Sequence, residues 1–186
     1  MHQKIHELLT SIDPIDSTEE AHISYAKKWV LSGNELYRIA KPDVPRIHLV
    51  AYCVVIDFEK MQILLGDHKA SGLWLPPGGH CDPQELPVTT ATRELEEEVS
   101  LKANLLYTEP LFLSVTKTSG AKDNEHTDVG FWYVSKGDSS KKTSFDPHEF
   151  HTLNWFSLHG FQLEKTDPHM LRFIKKINNY LRQLKK

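Results

Sequence analysis

Glu94, Glu97 and Glu98 lie in a stretch, residues 88–99, that reads as helix. Offsets of three and four put the three carboxylates on one side of such a helix. Unpaired, they would repel one another and weaken it. A divalent cation removes that penalty, and carboxylate oxygens suit Mg²⁺ or Mn²⁺. Two features set this run apart from an ordinary solvated acidic face. Gly78 and Gly79 precede it, and a glycine pair lets backbone approach a metal or ligand where a side chain would clash. Arg93 can hold Glu85 or a neighbouring carboxylate in a bidentate pair, orienting ligands without consuming metal charge. Ala91 and Leu95 share the side that can face a sheet, while Glu96 falls off the carboxylate face.

In this arrangement the chain resembles the Nudix hydrolase family. The family signature runs Gly, five residues, Glu, seven residues, then Arg-Glu-aliphatic-any-Glu-Glu-any-Gly-aliphatic. Gly79, Glu85, Arg93, Glu94, Leu95, Glu97, Glu98 and Leu101 fill its places in register, and Ser100 replaces the final glycine. That glycine often sits just past the helix, where positive φ costs it little, so serine there strains or reshapes the turn but removes no ligand. The approach Trp74-Leu75-Pro76-Pro77-Gly78-Gly79 is also similar to that of the family. The resemblance implies that Glu94, Glu97 and Glu98 bind catalytic Mg²⁺ (Mn²⁺ as an alternative), helped by the carbonyl of Gly78. It implies hydrolysis of a phosphoanhydride bond in a nucleoside diphosphate linked to another moiety. The base that deprotonates water varies within the family. Glu94 or Glu98 is the choice on the helix, with Asp123, Glu125 and Asp128 as outside candidates in the loop beyond.

Other residues carry weaker signals. Arg38, Arg46 and His48 lie before or at the start of the first strong strand and could touch phosphate, as could Gly79 through its backbone. Trp29, Tyr37, Phe131, Trp132 and Tyr133 could stack a base, although alternation requires some of the last three to be core. His68, His80, Cys81 and His126 do not have the spacing of a recognised zinc site. Cys53, in an apolar strand, reads as a small core residue.

The elements that must position these groups read as mixed α/β. Asp13-Pro14 marks a turn, Ser17 and Glu20 have capping-box spacing, and residues 21–31 read as helix, with a further helical turn at 36–39. Strands are expected at 48–57, 61–65, 73–75, 105–107, 111–116, 129–134 and 151–157. Residues 76–79 read as a tight loop, and 119–128 and 137–144 as exposed loops. Asp167-Pro168 reads as a helix start, followed by Leu171, Ile174, Ile177, Leu181 and Leu184 at spacings of three and four. Strands on both sides of a central helix, together with the family resemblance, give an α/β/α sandwich with a mixed sheet. Residues 1–45 form an N-terminal helical extension. By the resemblance, residues 46–186 are expected to form the Nudix domain, C-terminal helix included.

Composition bounds the partners. The 186 residues carry 22 Lys and Arg against 25 Asp and Glu, a formal charge of −3, which argues against broad nucleic-acid binding. Two cysteines exclude a disulfide scaffold and favour a reducing compartment. There is no apolar run long enough to span a membrane and no signal-peptide pattern at the start, so a cytoplasmic protein is expected. The expected partner is a small nucleotide or nucleotide conjugate, and the resemblance admits a homodimer. Markers that follow the box in ADP-ribose hydrolases (a proline) and in diadenosine polyphosphate hydrolases (a tyrosine) are missing at residues 115–119. Two rival readings are a non-catalytic nucleotide-binding module and an RNA 5′-pyrophosphohydrolase. The first would not require all the box carboxylates. The second needs a basic approach surface, for which only the Lys141-Lys142 loop and the C-terminal helix offer material.

Overall fold

The chain's strongest apolar run becomes the middle of a sheet. The computed structural model describes residues 1–41, 43–118 and 125–184. Its elements are α1 (His2–Ser11), α2 (Ser17–Leu31), β1 (Ile47–Asp57), β2 (Gln62–His68), β3 (Leu73–Leu75), β4 (Gly78–His80), α3 (Pro87–Val99), β5 (Phe112–Thr118), β6 (His126–Lys136), β7 (Phe150–Ser157) and α4 (Met170–Leu184). The sheet order is β3-β2-β1-β6-β5, with β4 also paired to β1 and β7 to β2. β1 and β6 run parallel, from Ile47 opposite Thr127 to Ile56 opposite Lys136, and the other pairings are antiparallel.

β1 is buried on both faces, which is why its sequence is a nearly continuous apolar run. Leu49, Ala51, Cys53 and Val55 meet Ala91, Leu95 and Val99 of α3 and the buried side chains of α1 and α2, among them Ile5, Leu9, Ile23, Trp29 and Val30. The alternate residues Val54 and Ile56 join Phe112 of β5, Trp132 of β6 and Phe173, Ile174 and Ile177 of α4. Helices therefore cover both faces, and the architecture is an α/β/α sandwich around a mixed sheet. Each fully buried aliphatic or aromatic side chain of α4 contributes about 1.5–3 kcal/mol.

The helical arm is fixed by polar groups as well. Glu19 is fully buried. Its Oε1 accepts from Leu113 N (3.1 Å) of β5 and from Lys176 Nζ (2.7 Å) of α4, and its Oε2 from Ile15 N (2.8 Å). Asp16 pairs with the Arg172 guanidinium, Oδ2 accepting from Nε at 2.9 Å and Oδ1 from Nη2 at 2.5 Å. The arm is thereby tied to the sheet and to α4.

Several local expectations change. The cap of α2 is Asp16, which accepts from Glu19 N, so Ser17 is already helical. α1 has no counterpart in the sequence reading. Residues 36–39 are not helical, because Leu36 O is taken by Leu49 N of β1 (2.8 Å). Within 76–79, Gly78 and Gly79 begin a short strand rather than completing a loop, since β1 is available to pair with them. Residues 105–107 form only an isolated bridge, Leu105 to Ser135. α4 starts at Met170 behind a turn at 168–169, with Asp167 Oδ1 accepting from His169 N (2.7 Å). Its Leu171 is 61% exposed, and Met170 and Phe173 take the core side with Ile174 and Ile177. In the expected loop 119–128, residues 126–128 belong to β6, while Asp123 and its neighbours 119–124 lie outside the described residues.

Candidate metal and active site

α3 begins with Pro87 at its first turn and ends on Ser100 in the left-handed region (φ 53°, ψ 30°). Leu101 N reaches back to Leu95 O at 3.4 Å and Ser100 N to Glu96 O at 3.0 Å, the hydrogen bonds of a left-handed helix stop. The serine thus adopts the conformation that favours glycine. Apolar Ala91, Leu95 and Val99 seat the helix, and this fixes which way the carboxylates point.

Arg93 organises the acids. Its Nε and Nη2 donate to Glu85 Oε1 (3.2 Å) and Oε2 (3.1 Å), and its Nη1 donates to Glu94 Oε1 (2.8 Å) and Glu97 Oε2 (3.0 Å). Glu85 also accepts from Thr90 Oγ1 (2.7 Å), and Tyr37 of the arm donates to the Glu85 carbonyl (3.1 Å). Burial raises the Glu85 pKa, but Arg93 and Thr90 outweigh it and hold the carboxyl below its ordinary value. Glu94 behaves oppositely: burial dominates, Arg93 only partly offsets it, and its pKa is raised.

Glu98 is buried, and its Oε2 accepts from Gly78 N (2.9 Å). Among the described residues no cation pairs with it. Burial pushes its pKa up to about 8 against the pull of the Gly78 N–H, with Glu94, Glu149 and Asp146 adding to the rise. Gly78 is packed against β1 and Gly79 against Glu94, closer than any side chain would allow. A Cβ on Gly78 would stand 2.4 Å from Ala51 O, and one on Gly79 would stand 2.6 Å from Glu94 Oε1.

These groups edge a cleft of about 590 Å³ lined by Gly78, Gly79, Arg93, Glu94 and Glu98 on one side. Arg38, Lys41, Val50, Tyr52, His68, His80, Asp82, Asp128, Glu149 and Phe150 are among its other walls. The structure therefore brings together Gly78, Gly79, Arg93, Glu94, Glu98, Arg38 and Asp128 from the sequence-derived candidates. Glu97 is nearby but its side chain is 59% exposed, and Glu85 lies behind Arg93. Arg46 and Glu125 are not brought to the cleft: Arg46 Nη1 donates to Glu125 O at 2.5 Å, and Glu125 pairs with Lys117 at 3.0 Å. Phe131, Trp132 and Tyr133 are core, and Trp29 is buried in the arm. Lys41, Glu149 and Phe150 were missed, since nothing local distinguishes them in the sequence. Both cysteines are free and buried.

Beside the cleft is a cluster that local spacing does not reveal. Asp43, His48, His80 and His126 each offer one ligand atom, all within 4.8 Å of one another, so the chain contains an Asp/His site capable of coordinating a divalent metal. Two members of the histidine and cysteine set considered from sequence, His80 and His126, belong to it. His68 is elsewhere, paired with Ser71 (2.9 Å) and Glu149 (3.6 Å), and Cys81 is buried in the core.

The family model for the NUDIX domain matches residues 46–177. The chain belongs to the Nudix hydrolase family. Curated protein sequences return no match. Among solved structures, a Nudix-family hydrolase from Clostridium perfringens is 22% identical with a TM-score of 0.56, covering 72% of this chain and 97% of that one. A Caenorhabditis elegans Ap4A hydrolase binary complex is 19% identical with a TM-score of 0.55, covering 72% and 98%. The NUDIX domain of Shewanella oneidensis NrtR, complexed with ADP ribose, is 19% identical with a TM-score of 0.56, covering 72% and 87%. At these identities the likeness is one of fold. No helix among the described residues is long and apolar enough to cross a membrane.

Proposed function

We propose that the protein hydrolyses a phosphoanhydride bond in a nucleoside diphosphate linked to another moiety, a nucleoside triphosphate or a nucleotide conjugate, with Mg²⁺ as the working ion and Mn²⁺ as a substitute. The observation that carries this reading is the seating of Glu94 and Glu98 against Gly78 and Gly79 at the cleft, with Arg93 locking the acids behind them. Hard oxygen donors at a buried position, with no cationic partner for Glu98 among the described residues, fit a divalent ion of this kind. Glu94 and Glu98 would hold it, with Glu97 from the open edge and the Gly78 carbonyl. Once bound, the ion supplies charge neutralisation at the pyrophosphate oxygens where negative charge develops.

The chain's own residues do the rest. Arg93 keeps Glu85, Glu94 and Glu97 in fixed orientation, so little reorganisation accompanies the reaction. Arg38 and Lys41, which also line the cleft, offer positive charge to phosphate. Glu94 or Glu98 would accept the proton of the attacking water, with the Gly78 N–H fixing the orientation of Glu98. A small nucleotide suits the cleft, and the cytoplasmic setting expected from the free cysteines belongs to this reading. The test is a panel of nucleoside triphosphates, nucleotide sugars and dinucleotides incubated with the folded protein and Mg²⁺, with products identified by mass spectrometry. One substrate is expected to be cleaved at a phosphoanhydride with absolute dependence on the ion. A folded protein that releases nothing from the panel overturns the reading.

A further inference from the structure

His48, His80 and His126 come from three strands that lie side by side. β4 and β6 flank β1, with Val50 opposite His80 and His48 opposite Asp128. The two-residue period of a strand puts His48 on the face of Val50, and His126 on the face of Asp128. The register therefore places all three imidazoles on one side of the sheet. Their ring centroids are 4.7 Å apart for His48 and His80, 5.1 Å for His48 and His126, and 6.3 Å for His80 and His126. Asp43 arrives from the segment that links the helical arm to β1.

Part of this cluster has no hydrogen-bond partner among the described residues. His48 is fully buried. Its Nδ1 is 2.9 Å from the Pro45 carbonyl, which can only accept, so Nδ1 carries a proton. His48 Nε2 faces Asp128 Oδ1 at 3.1 Å, an ion pair when the ring is protonated; with a neutral ring both buried atoms are left without a hydrogen-bond partner among the described residues. His80 Nε2 is likewise buried without a hydrogen-bond partner among the described residues. Buried polar atoms are ordinarily paired, and orphans grouped at one point mark an absent partner. The charges agree. Asp43 Oδ2 and Asp128 Oδ1 each stand 3.4 Å from His126, and one guanidinium, Arg38, lies 3.5 Å from Asp43. Among the described residues, two carboxylates thus face one fixed cation, which leaves room for positive charge.

We propose that Asp43, His48, His80 and His126 form a second metal site, for Zn²⁺ or a similar borderline transition ion, separate from the carboxylates of α3. Three imidazoles and one carboxylate are zinc donors, whereas Mg²⁺ prefers all-oxygen sites. The Pro45 carbonyl sets the tautomer of His48 as outer partners of metal-bound histidines do. Donors of a tetrahedral zinc stand about 3.4 Å apart, given bonds of about 2.0–2.1 Å. The observed separations reach 4.8 Å, so loading draws the side chains inward. The ion would clamp the end of the arm to β1, to β4 beside the glycine pair, and to β6. This inference does not depend on the hydrolytic reading.

The test uses the full chain, stripped with a chelator and titrated with Co²⁺ and then Zn²⁺. One equivalent of Co²⁺ is expected to give the intense visible bands of a tetrahedral nitrogen-rich site, bleached by Zn²⁺. His80→Ala and His126→Ala are each expected to lose the bands, while Glu98→Gln keeps them. Crystals of the unaltered protein grown with Zn²⁺ are expected to show an anomalous peak among His48, His80 and His126, a readout that needs no variant. Only the pale spectrum of octahedral Co²⁺, or a peak confined to Glu94 and Glu98, would show instead that His48 and Asp128 form a protonated ion pair and would overturn the site.

Discussion

Two charge-dense clusters adjoin the same cleft and are built in opposite ways. The carboxylates of α3 and their arginine fall within residues 93–98 of one helix, with Glu85 the farthest outlier. The Asp/His cluster draws on four segments, each delivered by a different part of the fold. A cluster written on one helix depends on that helix being seated. A cluster assembled from strands and a linker depends on sheet register and on the arm staying docked. The two should therefore fail under different perturbations.

The largest separation is expected from Glu98→Gln, which keeps the Gly78 hydrogen bond within reach but removes the charge. Turnover should fall about 10²–10⁴-fold, measured as kcat with saturating Mg²⁺, while Co²⁺ bands at the histidines persist. Near-normal turnover would take Glu98 out of the reaction. Next is Glu19→Ala, which strands Lys176 without its partner in the interior and leaves Leu113 N unpaired. It should cost about 3–5 kcal/mol in denaturant unfolding. In the folded fraction it should weaken Zn²⁺ binding more than Mg²⁺ binding, because Asp43 follows the loosened arm. Equal losses at the two sites would erase the distinction.

Arg93→Lys retains a positive charge but cannot hold Glu85 by two parallel bonds while also reaching Glu94 and Glu97. A loss of about 10–100-fold in kcat/KM is expected, with unfolding little changed. Ser100→Gly relieves an L-residue in the left-handed region and should stabilise the protein by about 1 kcal/mol, visible as a raised Tm, with Zn²⁺ affinity unmoved. The smallest effect concerns the arm alone. Arg172 beside Asp16 holds its carboxyl well below the ordinary value. A lowered folded pKa gives stability that is full above the unfolded carboxyl pKa, about 3.9, and is lost as pH falls below it. Asp16→Asn should flatten the acid limb of a stability-versus-pH curve, and an unchanged limb would mean the ion pair contributes nothing to docking.

The same contrast explains what the sequence could tell. The α3 cluster was legible because offsets of three and four convert directly into one helical face, and because Gly79, Glu85 and Arg93 sit at fixed distances before it. The central strand was legible from its unbroken apolar run, and the core side of α4 largely so. Leu171 misled, because a spacing of three from Ile174 also fits a residue at the edge of the apolar stripe. The Asp/His site was not legible. His48, His80 and His126 are more than thirty residues apart from one another in the chain, and only the pairing of β4 and β6 with β1 makes them neighbours. The surroundings of Arg46 were hidden for a related reason: parallel pairing of β1 with β6 brings Glu125 O within its reach, which its position before β1 does not reveal.

The Glu19 anchor has a consequence for synthesis. Its partners Leu113 and Lys176 lie 94 and 157 residues later in the chain, so they leave the ribosome long after it does. Until they emerge, the Glu19 carboxylate lacks both partners, even though β1 and α3 can already cover Ile5, Leu9 and Trp29. The arm can thus lie on β1 and α3 before its buried carboxylate is paired, and it is secured only when β5 and α4 have both been made.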